Sequence, residues 1–119
     1  MKHITIAEKE LELHYGLAFI RELDKRYNTS YQGVQYGMGV RIVALYLIDE
    51  NPVALLDIIQ AALITEKKAP SEKEIEAWLE EQEDFEGLFQ GFLDSLKKSK
   101  MTQGTVQKIL EAMEAAELV

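Results

Sequence analysis

Few residues of this sequence could do chemistry, and three of them lie near its start. His3, Glu12 and His14 carry imidazole and carboxylate groups, which bind zinc in proteins. Residues 2–15 alternate between apolar and polar side chains, and a two-residue turn at positions 7–8 would place the three on one outward hairpin face. A small hairpin offers few neighbouring groups to orient metal ligands. We therefore favour a weak cross-strand contact over a metal site.

Other catalytic patterns are not visible. The chain has no cysteine and only two histidines, so it offers no Cys-His or Ser-His-Asp arrangement. Glu80 and Asp84 would share a helix face, but nothing nearby indicates a pocket that would separate their pKa values. Residues 36–39, YGMG, lack the spacing and the lysine of a P-loop, so these glycines are expected in a turn or a close helix contact. An enzymatic function is unsupported, and we expect neither a cofactor nor a metal.

Composition narrows the class of protein further. A chain of 119 residues that is 47% hydrophobic is expected to form one globular domain. Its net charge is −8, and residues 61–119 carry thirteen acidic against seven basic side chains. Binding to nucleic acid depends on concentrated Lys and Arg, so we do not expect it. No secretory signal and no membrane-spanning run are visible, which predicts a soluble cytoplasmic protein without a membrane partner.

The most apolar stretch, residues 33–64, organises the predicted fold. Asn51 and Pro52 divide it, since Asn caps helices well and Pro suits the first helical position. We predict two tightly joined helices at about 38–49 and 52–66. The first is apolar nearly all round, and such a helix is either buried on all sides or faces another chain. Its candidate partner-binding residues are Val40, Val43 and Leu47.

The remaining segments are predicted from periodicity and capping. The hairpin register puts an apolar face, Ile4, Ile6, Leu11 and Leu13, against the helices. A helix at about 17–27 carries the stripe Leu17, Ile20, Leu23 and Tyr27, and a Gly- and Tyr-containing loop at 28–37 follows it. Ser71 and Glu74 form a capping-box pattern, and Asp84 is a candidate cap for the next helix. The predicted fold is mainly α, with a small N-terminal β-hairpin packed on a bundle of about five helices.

The C-terminal segment has two interpretations. Its narrow apolar stripe consists of Val106, Ile109, Leu110 and Met113, and it follows a hinge-like TQGT at residues 102–105. The stripe either packs on the protein's own core or docks against a partner. We accordingly divide the chain into a hairpin and helical core at 1–100 and a detachable amphipathic helix at 101–119, whose stripe joins the candidate partner-binding residues.

Several motifs, taken in order, resemble a known family. Residues 19–24, FIRELD, residues 37–39, GMG, and residues 51–55, NPVAL, follow a short hairpin and precede a capped acidic helix. This order resembles the tail assembly chaperones of long-tailed phages of Gram-positive bacteria, or their prophages. The resemblance runs from Ile4 to about Lys100. The hairpin turn departs from the Asp-Gly associated with the family, and the segment after Met101 is the least similar.

The resemblance implies a function in tail morphogenesis. Such chaperones bind the tape measure protein, keep it soluble and help tail-tube subunits polymerise around it. The resemblance therefore implies that the tape measure protein and the tail-tube protein are partners. It also implies that the protein acts in the host cytoplasm and is absent from the mature virion. Self-association is a further expectation, from the apolar helix at 38–49.

Two other functions remain open from the sequence. One is a structural head–tail joining protein of similar size. The other is an acidic inhibitor of a basic host protein, because residues 72–86 hold eight acidic side chains and only one base, Lys73. For that acidic segment we favour an ordinary solvated helix face, since apolar residues recur through it at helical spacing.

Overall fold

The computed structural model describes residues 1–117, which form two small hairpins and six helices around one core. The strands are β1 (His3–Ile6), β2 (Lys9–Glu12), β3 (Asn28–Tyr31) and β4 (Val34–Gly37). The helices are α1 (Leu17–Arg26), α2 (Gly39–Ile48), α3 (Val53–Ala62), α4 (Glu72–Glu80), α5 (Phe85–Lys98) and α6 (Gln103–Glu117). The mainly α class with an N-terminal hairpin is confirmed, with six helices where about five were predicted.

The N-terminal hairpin has the predicted register. Ile4 pairs with Leu11 and Ile6 with Lys9, and the apolar side chains Ile4, Ile6 and Leu11 are buried in the core. Ala7 and Glu8 form the turn with φ values of 52° and 64°, in the left-handed region that glycine and asparagine favour. The alternation of buried and exposed residues therefore fixes this register despite an unfavourable turn sequence.

A second hairpin replaces the loop predicted at residues 28–37, and that prediction was wrong. β3 and β4 are antiparallel, with Thr29 opposite Tyr36 and Ser30 opposite Gln35, around a turn at Gln32 and Gly33. The described side chains of this hairpin are exposed on both faces, so no apolar alternation marks the strands. Gln-Gly is also a weaker hairpin signal than Asn-Gly or Asp-Gly.

Helix α2 lies at the centre of the helical core. It packs against α1, α3, α5 and α6, and its residues Val43, Ala44 and Leu47 are at most 2% exposed. Four neighbouring helices explain why almost no side of α2 is polar. Leu45 lies on the side of the helix that stays partly open, with 36% exposure.

Glycine permits the close approach of α1 and α2. Gly39 begins α2, and a Cβ added to it would lie 2.4 Å from the Cβ of Leu23. The backbone N–H of Gly39 donates a hydrogen bond to the Asp24 carboxylate at 2.9 Å, which satisfies one free donor at the helix start. The predicted use of this glycine in a close helix contact is confirmed.

A polar cluster joins α1 to α3. Arg26 donates to the Asp57 carboxylate at 2.9 Å and to Gln60 at 2.6 Å, and it also pairs with Glu22 at 3.3 Å. The Tyr27 hydroxyl donates to the second carboxylate oxygen of Asp57. Burial, followed by the hydrogen bond to Asp57, raises the pKa of Tyr27, so the phenol stays protonated and keeps its role as donor.

The later helices begin where the sequence predicts. Ser71 and Glu74 form a complete capping box at α4, and Asp84 accepts a hydrogen bond from the Gly87 N–H at α5. Between α5 and α6, Thr102 is fully buried and donates its hydroxyl to the Leu96 carbonyl at 2.6 Å. The hydrogen bond between Thr102 and Leu96 joins the start of α6 to α5, and α6 packs on α2 and α5.

Candidate functional site

The candidate partner-binding residues of α2 belong to the core. Val40, Val43 and Leu47 are 7%, 0% and 2% exposed, on the helix that four others surround. In this arrangement they offer little surface to a second protein. The sequence shows that α2 is apolar on nearly every side, but it does not show that α5 and α6 cover these residues.

The C-terminal stripe is divided between core and surface. Val106 and Ile109 are buried, whereas Leu110 and Met113 are half-buried and pack at the edge of the core. The stripe therefore meets α2 and α5 of its own chain. Detachment of the segment 101–119 stays a prediction, and its last two residues, Leu118 and Val119, lie outside the described residues.

The molecule nevertheless exposes more surface than a compact monomer of its size. Its accessible surface is 7745 Å² for 13.6 kDa, whereas the usual scaling gives roughly 6,600 Å². Its extents of 47 × 34 × 23 Å show the elongation behind that difference. Large apolar side chains contribute to this surface, and those most exposed are Leu17, Val34, Tyr36, Leu45, Val53, Ile64 and Met101.

Two of these side chains flank a small apolar groove, which we call the α1–α3 groove. Leu17 at the start of α1 is 54% exposed and Ile64, just after α3, is 49% exposed. They border a cavity of about 210 Å³ whose other walls are His14, Gly16, Ala18, Phe19, Ala61, Ala62 and Thr65. Gly16 and Ala18 are partly exposed at its mouth, whereas Phe19, Ala61 and Ala62 are at most 1% exposed and form its floor.

Leu17 is exposed, contrary to its predicted place on the inner stripe of α1. Leu23 of the same stripe is fully buried, and Ile20 and Tyr27 are partly buried against the core. At 3.6 residues per turn, Leu17 lies about 120° around the helix from Leu23 and about 160° from the buried Phe19. Leu17 therefore faces away from the core-facing side, and the groove beside it was not predicted.

Polar groups fix one rim of the α1–α3 groove. The His14 backbone N–H donates to the Ala62 carbonyl at 3.0 Å, which ties the end of the N-terminal hairpin to α3. The imidazole Nε2 of His14 lies 3.3 Å from the Glu66 carboxylate. These contacts hold the rim, and the groove between Leu17 and Ile64 is left apolar.

The candidate metal ligands do not come together. His3 lies opposite Glu12 in the hairpin register, while His14 pairs with Glu66 instead. Within residues 1–117 no group of three His, Asp or Glu side chains is placed to hold a metal ion. Glu80 ends α4 and Asp84 caps α5, so the prediction that these two carboxylates share a helix face was wrong.

A cavity of about 650 Å³ lies between the N-terminal hairpin and α5. On its wall the Tyr15 hydroxyl donates a hydrogen bond to the Met1 carbonyl at 2.7 Å, and the Met1 ammonium donates to the Ser95 hydroxyl. Burial raises the pKa of Tyr15 to about 12, so its phenol is a neutral donor at physiological pH. These bonds hold the first residue against α5.

The fold and its exposed groove define a mainly α-helical protein with apolar surface suited to contact with another chain. No helix within residues 1–117 has both the length and the apolar character needed to cross a bilayer. The chain belongs to the family of phage tail assembly chaperone proteins, whose family model matches residues 3–111. That match extends into α6, beyond the resemblance expected to end near Lys100. No curated protein and no solved structure matches the chain.

Proposed function

We propose that this phage tail assembly chaperone binds the tape measure protein, keeps it soluble and helps tail-tube subunits assemble around it. The family match over residues 3–111 carries the proposal. It supports a role in tail assembly, and the tape measure protein is the tail component whose physical properties most require a chaperone. A long helical protein that exposes apolar stripes aggregates unless those stripes are covered.

The α1–α3 groove supports the first half of the proposal, the holding of an apolar client. Leu17 and Ile64 offer exposed apolar surface, and the small residues between them leave space for one large side chain of the client. Burying one such side chain contributes about 1.5–3 kcal/mol. Contacts of that strength are weak singly, so repeated contacts along a client could hold it and still be released as the tube grows.

The acidic surface supports a second part of the proposal, that the complex with the tape measure protein stays soluble. The chain carries a net charge of −8, and α4 and the start of α5 contain most of the acidic segment 72–86. Excess charge of one sign keeps proteins apart in solution. Several chaperone molecules along one tape measure protein would extend that repulsion to the whole complex.

In this proposal the protein works without catalysis and without a cofactor. It holds its client passively in the host cytoplasm, polymerisation of the tube displaces it, and it is absent from the mature virion. The apolar groove and the acidic residues spread along a solvated helix surface support a chaperone over an inhibitor of basic host proteins.

Co-expression with the tape measure protein of the same phage tests the proposal. We expect the tape measure protein to be soluble and to co-purify with this chain when both are made, and to aggregate when it is made alone. A tape measure protein that is equally soluble and uncomplexed in both cases would contradict the proposal. Mass spectrometry of purified virions tests absence from the particle, and a stoichiometric amount there would favour a head–tail joining protein.

A further inference from the structure

The hairpin β3–β4 lies in the longest part of the chain without charge. From Tyr27 to Val40 no residue is charged, although 29% of the whole chain is. The described side chains of the hairpin are exposed, with Val34 at 52% and Tyr36 at 49%. Exposed edge strands of monomeric proteins are usually protected by charged residues or proline, and this hairpin has neither.

The register shows which edge of the hairpin is open. Tyr31 and Val34 flank the two-residue turn and form a hydrogen-bonded pair of the antiparallel ladder. Hydrogen-bonded and non-hydrogen-bonded pairs alternate along the strands, so Thr29 and Tyr36 form the next hydrogen-bonded pair. The backbone groups of Asn28 and Ser30 consequently point away from β4. On the other strand, Gly37 lies against Asp24 of α1, so that edge is partly covered. Within residues 1–117 no turn, loop or helix forms a backbone hydrogen bond with Asn28 or Ser30, so the outer edge of β3 is the open one.

We propose that β3 pairs with β3 of a second copy of this chain, so that two hairpins form one four-stranded antiparallel sheet. Antiparallel pairing of identical strands has two-fold symmetry, the commonest symmetry of homo-oligomers. Two copies that each carry a charge of −8 repel one another, and they approach with least repulsion through an uncharged surface. A two-stranded hairpin is marginal alone, and a sheet of four strands is more stable.

The N-terminal hairpin is the natural comparison within the molecule. It also has two strands, but its turn and β2 carry Glu8, Lys9, Glu10 and Glu12, and its uncharged strand β1 is in contact with α4. Charges of this kind discourage edge-to-edge pairing. Self-pairing is therefore expected at β3 alone, whatever the identity of the client in the proposed function.

The proposed pairing makes a specific geometric prediction at Thr29. If the backbone groups of Asn28 and Ser30 bond to Ser30 and Asn28 of the second copy, the two Thr29 residues lie directly opposite at a non-hydrogen-bonded position. Cβ atoms at such positions are about 4.5–5.5 Å apart, and cysteines there lie within or close to disulfide range. Because the chain contains no cysteine, a single-cysteine variant reports this contact without background.

The test compares Thr29→Cys with Thr5→Cys, an exposed threonine on β1 opposite Glu10. Under mild oxidation we expect Thr29→Cys to form a covalent dimer on non-reducing gels several-fold faster than Thr5→Cys.

A second test places a charge on the open edge of β3. Thr29→Lys should weaken self-association about tenfold or more in sedimentation experiments, while the circular dichroism spectrum stays that of the wild type. Equal crosslinking of the two cysteine variants, or a monomeric wild-type chain at high concentration, would overturn the proposal. So would a Thr29→Lys variant that associates normally but loses its client, since the edge would then serve another protein.

Discussion

The Cβ of Leu23 lies only 2.4 Å from the position that a Cβ on Gly39 would occupy. The Leu23 carbonyl carbon is almost as close, at 2.6 Å. Backbone atoms cannot move aside as the end of a flexible side chain can. The contact between α1 and α2 therefore depends on the absence of a side chain at Gly39, and this contact brings Asp24 within bonding distance of the α2 N-terminus.

Replacing Gly39 by alanine should destabilise the fold. The added methyl group forces α1 and α2 apart, and overpacking of this kind typically costs about 1–3 kcal/mol. Urea denaturation followed by circular dichroism measures the free energy of unfolding. Gly104→Ala is the matched control, because that glycine lies in α6 with open space around it and should stabilise the protein by about 0.5–1 kcal/mol. Equal effects of the two substitutions would contradict the close contact.

Removing the Asp57 carboxylate should also destabilise the protein. Asp57→Ala leaves the partly buried Tyr27 hydroxyl without its acceptor, while the exposed Arg26 loses one of three partners and keeps Gln60 and Glu22. Losing such acceptors costs about 1–3 kcal/mol. Thermal and urea unfolding measure the loss. The same truncation at Glu76, an exposed carboxylate of α4, should change stability by less than about 0.5 kcal/mol. A small effect at Asp57 would mean that water replaces the carboxylate at little cost.

Much of the fold follows from local patterns in the sequence. Alternation at Ile4, Ile6 and Leu11 gives the first hairpin its register, and Pro52 separates the two central helices. Ser71 with Glu74 marks the start of α4. Each of these signals reflects a short-range requirement: one buried strand face, one helix start or one capping hydrogen bond.

The features that were not predicted depend on how the elements meet in three dimensions. Leu17 was predicted on the inner stripe of α1, but it lies about 120° around the helix from the buried Leu23 and is exposed. Val40 and Val106 were correctly recognised as apolar faces, yet their burial requires α2 and α6 to meet. The hairpin β3–β4 lacks a buried face, and with it the pattern by which strands are recognised.

Stability should decline at alkaline pH because of Tyr15. Its pKa is raised by burial to about 12 in the folded protein, from 10.0 in the unfolded chain. Below pH 10 the Tyr15 phenol is neutral in both the folded and the unfolded chain, so its contribution to the free energy of unfolding is constant. Between pH 10 and about 12 only the unfolded chain loses the phenol proton, which favours unfolding as the pH rises. The decline should be about 1.4 kcal/mol per pH unit in that window. Urea unfolding between pH 9 and about 12 measures it, and Tyr15→Phe should show a shallower decline. Identical slopes would contradict this role of burial.

The α1–α3 groove can be tested with a pair of glutamate substitutions at two exposed apolar residues, one inside the groove and one outside it. Leu17 and Val53 are the first residues of α1 and α3, and they are 54% and 60% exposed. Glutamate at either position interacts favourably with the positive end of its helix, so both variants should fold. If the groove holds the tape measure protein, Leu17→Glu should reduce co-purification of that client about tenfold, the value of one buried leucine. Val53→Glu lies outside the groove and should retain the client. Equal loss in both variants would indicate a general dependence on exposed apolar surface, and equal retention would place the client-binding surface elsewhere on the molecule.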